Sequence, residues 1–218
     1  MINNNNIIIR KFNNYDREDV RRISCDTAFS EGSRINIFDD DEILADLLTL
    51  YFTDYEPNSC FVAVRNDKVI GYIIGTTDVK LMQKIFFVRI IPHLIMKALN
   101  KRIIFKRNTQ NFLIHLLLSL LKGEFIRPDF SKKYPATLHI NIDKDFRGRN
   151  IGRKLIEYYL KFLKEKNIPG VHFGVMSESA KDFFIKLGFN ILFVRRRSYL
   201  KYYFGNYITY YILGILLK

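Results

Sequence analysis

The residues best suited to chemistry lie in one run, Arg147-Gly148-Arg149-Asn150-Ile151-Gly152-Arg153, between a strand-like segment and a helix-like one. Backbone N–H groups at a helix start lack partners and carry partial positive charge, and glycine lets an anion approach them closely. Arg147, Arg149, Arg153 and Lys154 add countercharge, so the run predicts a phosphate cradle. An ordinary glycine-bearing turn is the competing reading. The run is neither a Walker loop, which needs Gly-Lys-Ser/Thr, nor the dinucleotide pattern G-x-G-x-x-G.

The elements that must position this run are legible around it. Residues 136–142 alternate strictly between apolar and polar, which predicts a strand. A polar turn at 143–150 leads to a helix over 151–166, with Ile151, Leu155, Tyr158 or Tyr159, and Phe162 at helical spacing; Asn167 and Pro169-Gly170 end it. Strands are predicted at 171–175, 189–194 and 206–213, with a helix over 179–187 closed by Gly188.

Upstream, 7–11 reads as a first strand and 16–29 as a helix with Asp16 at its N-cap and Asp19 at N3. Asp39-Asp40-Asp41-Glu42 precedes Ile43, Leu44, Leu47, Leu48 and Tyr51, so the acids suit a helix start, with a cationic substrate as the alternative use. Residues 60–64 and 69–76 read as a hairpin turning at Arg65-Asn66-Asp67-Lys68. From 78 to about 133 the rhythm breaks into two apolar helices, interrupted at Arg89 and Pro92, which bury themselves, cover a ligand site or pair with another chain as a homodimer. The expectation is one domain over 1–218 with this insertion inside it.

Composition sets limits on function. The chain has 218 residues, 48% hydrophobic and 26% charged, which is enough for a core and too apolar for wholesale disorder. Cys25 and Cys60 are the only cysteines, too few for a disulfide scaffold or a Cys-rich zinc site, and no metal is expected. Met1 leads into Asn3–Asn6 without the basic and apolar regions of a secretory signal, so the expected location is cytoplasmic. No stretch reaches the roughly 18 apolar residues of a membrane span, although a peripheral contact stays open. The net charge is +13, and residues 1–60 hold six Lys and Arg against twelve Asp and Glu, so the excess lies beyond them. That suits an anionic partner, but no nucleic-acid motif is visible and none is expected to bind.

Taken together, Leu138-x-Ile140-x-Ile142 and Arg147-Gly148-Arg149-Asn150-Ile151-Gly152 resemble the acetyl-CoA motif of the GNAT superfamily of N-acetyltransferases, a strand followed by Arg/Gln-x-x-Gly-x-Gly/Ala and a helix. The similarity continues through Gly170-Val171-His172-Phe173-Gly174-Val175 and Ser179-Ala180-Lys181-Asp182-Phe183-Phe184-Ile185-Lys186-Leu187-Gly188-Phe189. Arg10, Phe61-Val62-Ala63 and Val69-Ile70-Gly71-Tyr72 match the N-terminal half. The resemblance implies an α/β fold, a mixed sheet flanked by helices and splayed after 136–142. It implies acetyl-CoA as co-substrate, with pantetheine on the backbone of Ile140 and Ile142, pyrophosphate on the N–H groups from Arg147 to Arg153, and Ser179 and Phe184 beside the coenzyme. The implied reaction is direct acetyl transfer to an amine of a small molecule or peptide, without a metal.

Three departures matter. Asn150 stands for the first motif glycine, and Asn tolerates positive φ best among the other residues, so the loop is expected to survive. Ser177 stands for an Asn. Phe184 stands for the Tyr that commonly protonates the departing thiolate, which leaves a catalytically impaired coenzyme-binding or interaction module as the second reading. Thr137, His139 and Asn141 share one strand face, and His139 or Asp143 is the candidate general base, directly or through water. A hydrogen-bonded structural histidine is the alternative. Tyr199, Tyr202, Tyr203 and Tyr207 are candidates to lend a hydroxyl, with aromatic packing the competing role.

Overall fold

Two antiparallel sheets, one of four strands and one of three, meet at a single point in the computed structural model, which describes residues 7–28 and 39–217. In the first sheet, β1 (Ile8–Lys11) pairs with β2 (Cys60–Arg65), β2 with β3 (Lys68–Thr76), and β3 with β4 (Thr137–Ile142). Asn66 and Asp67 both have positive φ, the backbone that lets a two-residue turn follow the strand twist. The second sheet runs in the order β5 (Gly170–Val175), β7 (Ile208–Leu216), β6 (Asn190–Arg197).

Ala136 joins the sheets. Its N–H donates to the Gly170 carbonyl at 3.2 Å, and its carbonyl accepts from the His172 N–H at 3.0 Å, a parallel contact that makes the whole sheet mixed. Beyond it β4 and β5 part, which is the splay the resemblance implies.

Helices cover both faces. On one side α1 (Arg17–Thr27) sets Val20 and Ile23 against Val62, Tyr72 and Ile74, with α2 (Asp41–Leu50) beside it. Between β3 and β4 come α3 (Val79–Ile85), α4 (Ile91–Asn100) and α5 (Arg107–Leu121), the first two joined by a π-helical turn at Phe86–Ile90. Pro92 lacks the N–H that would bond one turn back, and the widened turn just before it absorbs the defect, so the expected break becomes a bulge in a continued helix. On the opposite face α6 (Ile151–Glu165) buries Ile151, Leu155, Ile156, Tyr159 and Leu163, which keep the helical period. Two shorter helices, α7 (Glu178–Lys186) and α8 (Lys201–Phe204), complete the chain.

Two expectations about acidic residues resolve differently. Asp16 does not cap α1. Arg10 donates to its two carboxylate oxygens at 2.6 and 2.7 Å and the Asn13 N–H reaches it at 2.8 Å, because a bidentate guanidinium outcompetes a helix end. Asp40 does cap α2, accepting from the Ile43 N–H at 3.0 Å, and it also pairs with Lys101 at 2.8 Å. Asp39 holds the start of α5, accepting from the Thr109 N–H at 3.1 Å and its hydroxyl at 2.9 Å. These two acids therefore serve the framework and not a cationic substrate. The Asn3–Asn6 run and the expected helix end at Phe29 lie outside the described residues.

Candidate functional site

Strand geometry decides what the splay offers. Backbone groups of successive residues point to opposite edges of a strand. The Asp143 N–H bonds to Ile70 of β3 at 2.9 Å, and Ala136 bonds to β5. Residues in step with Ala136, namely Leu138, Ile140 and Ile142, therefore turn their N–H and C=O toward the gap. Across it, Gly174 is in step with Gly170 and His172 and faces back. These are sheet edges inside a fold, and an unpaired edge calls for a partner.

The gap opens toward the loop before α6. Gly148 and Asn150 both have positive φ, 76° and 62°, and the first backbone bond of α6 runs from the Lys154 N–H to the Asn150 carbonyl at 3.2 Å. The N–H groups of Ile151, Gly152 and Arg153 thus head the helix with no intrahelical acceptor. Gly152 also lets α7 come close, since a Cβ there would stand 3.3 Å from the Phe183 ring. The arginines are held within the loop: Arg147 donates to the Ile142 carbonyl at 3.3 Å, Arg149 to the Asp145 carbonyl at 3.1 Å, and Arg153 lies 3.9 Å from Glu157. The result is a cluster of backbone donors surrounded by positive charge, chemistry that suits an anion.

His139 and Asp143 do not meet as a pair. The Tyr72 hydroxyl lies 3.4 Å from His139 Nδ1, and the Asn141 amide donates to that hydroxyl at 2.9 Å. Burial pushes the His139 pKa down to about 4, so the ring is neutral at ordinary pH. The Asp143 carboxylate accepts from Arg22 of α1 at 3.3 Å and from the Asp145 N–H at 3.3 Å. Tyr72 and Arg22, which the sequence did not mark, are the partners of His139 and Asp143. Tyr72 comes into reach through the register of β3 on β4, which sets it opposite Asn141 across sixty-eight intervening residues, and Arg22 through the packing of α1 on the sheet.

On α7, Ser177 caps the helix by accepting from the Ala180 N–H at 3.3 Å, and Ser179 Oγ lies 2.8 Å from Ser177 Oγ. Phe184 is only 5% exposed and packs edge to face on Phe173, Phe183 and Phe189. Of the tyrosines considered as donors, Tyr199 points its hydroxyl at Met176 Sδ and Tyr203 donates to the Asn108 carbonyl at 3.0 Å. Tyr202 stacks on His115 and Tyr207 lies under Lys201. Among the described residues no cluster of His, Cys, Asp and Glu could hold a metal, and no helix is long and apolar enough to cross a membrane.

Solved structures share this architecture. SsHAT superposes with a TM-score of 0.67 at 22% identity, covering 98% of this chain and 99% of that one. The polyamine N-acetyltransferase of Drosophila melanogaster, described as forming N-acetylagmatine, gives 0.57 at 16% identity, covering 97% and 100%. The ribosomal-protein-S18-alanine N-acetyltransferase of Escherichia coli gives 0.54 at 14% identity, covering 97% and 94%. At such identities these likenesses show the fold alone. No curated protein matches the chain in sequence. The sequence model of the Acetyltransferase (GNAT) family matches residues 19–189, and the chain belongs to that family.

Proposed function

We propose that the protein is an acetyl-CoA-dependent N-acetyltransferase that passes an acetyl group directly to an amine of a small molecule or peptide. The observation that carries this reading is the pair of unpaired strand edges, on β4 and β5, opening onto the partnerless N–H groups of α6. A ligand with amides at one end and phosphates at the other matches both. Bound acetyl-CoA supplies the activated acyl thioester. Ile140 and Ile142 offer backbone groups to its pantetheine arm, and Gly148 to Arg153 offer N–H groups to its pyrophosphate. Ser179 and Phe184 border the same cleft from α7.

Proton handling falls to the other face of β4. Moving a proton from an alkylammonium to an imidazole of pKa about 4 would cost roughly 9 kcal/mol, so His139 is a poor direct base. In our reading the ammonium gives up its proton to bulk solvent before attack, a cost of about 5 kcal/mol at pH 7, and water near His139, Asn141 and Asp143 carries that proton away. Phe184 cannot protonate a departing thiolate, which favours a second reading, a coenzyme-binding module with weakened chemistry. One missing positioned acid slows transfer by roughly 10²–10⁴-fold.

The test has two parts. Acetyl-CoA should raise the melting temperature through a single site, and Gly152→Asp should abolish that rise by putting a carboxylate where phosphate belongs. A panel of amines should then show slow thiol release, faster in Phe184→Tyr. Stabilisation without thiol release in either protein would transfer preference to the binding module. No stabilisation at all would remove both readings.

A further inference from the structure

We propose that α5 lies on the surface of an anionic lipid bilayer. The helix already has a core side, since Phe112 and Leu116 pack on Tyr199, Leu200 and Tyr203, and Thr109 and Ser119 are buried in hydrogen bonds to Asp39 and Glu124. At 100° per residue, the remaining circumference carries Leu113, Ile114, Leu117, Leu118, Leu120 and Leu121, and all six are exposed. Leu117 is 57% and Leu121 76% exposed. A surface helix of a water-facing protein carries charges there, and α5 has none between Arg107 and Lys122. The neighbouring α4 repeats the pattern with Ile95, Met96 and Leu99 outward, and Phe105 stands exposed between the two helices.

Charge selects the occupant. Residues 79–123 contain nine Lys and Arg and not one Asp or Glu. Lys106 and Arg107 at one end of α5 and Lys122 at the other are exposed; Glu124 answers Lys122 at a distance, and among the described residues no salt bridge holds Lys106 or Arg107. An apolar helix face about 22 Å long between basic ends is the pattern of a helix that rests in the headgroup layer without spanning the membrane. A second copy fits worse: a symmetric contact would bring basic ends together with no acid in the segment to answer them. Nucleic acid would satisfy the charge and leave the leucines in water.

The full chain should sediment with vesicles of phosphatidylcholine containing roughly 30% phosphatidylserine, and bind pure phosphatidylcholine more weakly, by about fivefold per basic residue engaged. Leu117→Gln with Leu121→Gln should weaken binding to the anionic vesicles by at least about tenfold, with an unchanged melting temperature because both side chains are already exposed. Lys106→Gln with Arg107→Gln should lose the preference for anionic lipid and keep the weak neutral binding. Absence of vesicle binding, or equal binding by the leucine variant, would overturn the proposal. So would a wild-type dimer in lipid-free solution that the leucine variant converts to monomer, since the face would then belong to a second copy.

Discussion

Asn150 heads α6 at φ 62° and ψ 11°, a left-handed backbone that costs an ordinary residue about 1–2 kcal/mol and a β-branched one more. Asn150→Gly should therefore bind acetyl-CoA at least as well as the natural chain, and Asn150→Val several-fold worse, by titration calorimetry. Equal affinity in all three would show that the loop places no demand on this position. His139 makes a prediction of a different kind. Its pKa is about 4 when folded and near about 6.5 when unfolded, so the unfolded chain binds more protons between those values. The stability that His139 protects is complete above pH 6.5 and drains away as pH falls toward 4. His172, lowered by burial and hydrogen-bonded to the Tyr134 carbonyl, adds to the same slope. Denaturant midpoints across that range should fall less steeply in His139→Gln, and an unchanged slope would mean that the ring binds protons alike in the folded and unfolded chain. Residue chemistry was readable in sequence where it was local. The loop from Arg147 to Arg153 names its own backbone needs, whereas the partners of His139 and Asp143 lie on β3 and α1 and depend on long-range register.

At the scale of elements, a buried carboxylate joins α4, between β3 and β4, to both α1 and α2. Asp46 of α2 pairs with Arg21 of α1 and, at 2.6 Å, with Lys97 of α4. Burial alone would raise its pKa, but the hydrogen bonds from Lys97 and Arg21 outweigh it and hold the carboxylate below its usual range. This support is full above about pH 4 and is lost as pH falls through the lowered value. Asp46→Ala leaves Arg21 and Lys97 with the exposed Glu42 as their nearest carboxylate, and should cost about 3 kcal/mol in chemical denaturation, the low end for a broken buried pair, with Asp46→Asn losing less. A loss below 1 kcal/mol would mean that water already solvates the cluster. The sequence signalled helices here through apolar spacing, but not which helix they grip. Asp46 sits among the leucines of α2 with no local cue that it answers Lys97, fifty-one positions away.

For the whole molecule, the open edges of β4 and β5 should be visible in hydrogen exchange. The N–H groups of Ile140 and Gly174 face the gap, so they should exchange quickly in the free protein and slow by at least about tenfold with acetyl-CoA bound, while those of β2 and β3 change little. Slow exchange in the free protein would mean that the sheets close on each other without a ligand. The layout was legible in sequence because nearly every strand and helix carried its own period. The single Ala136 contact that hinges the two sheets was not, since nothing in an alternating strand marks where its neighbour departs. Close to that junction the Tyr159 hydroxyl donates to the Thr137 carbonyl at 2.8 Å and to the Thr76 carbonyl at 3.3 Å, in space left by Gly75, where a Cβ would collide with the phenol oxygen. Tyr159 lies eight residues along α6 from its first residue, a lever arm of about 12 Å. A single methyl in Gly75→Ala would prise α6 from the sheet at the fulcrum, and the displacement would grow toward the free end. The fault would then be read far from where it was made, as a coenzyme that no longer settles on its phosphate seat.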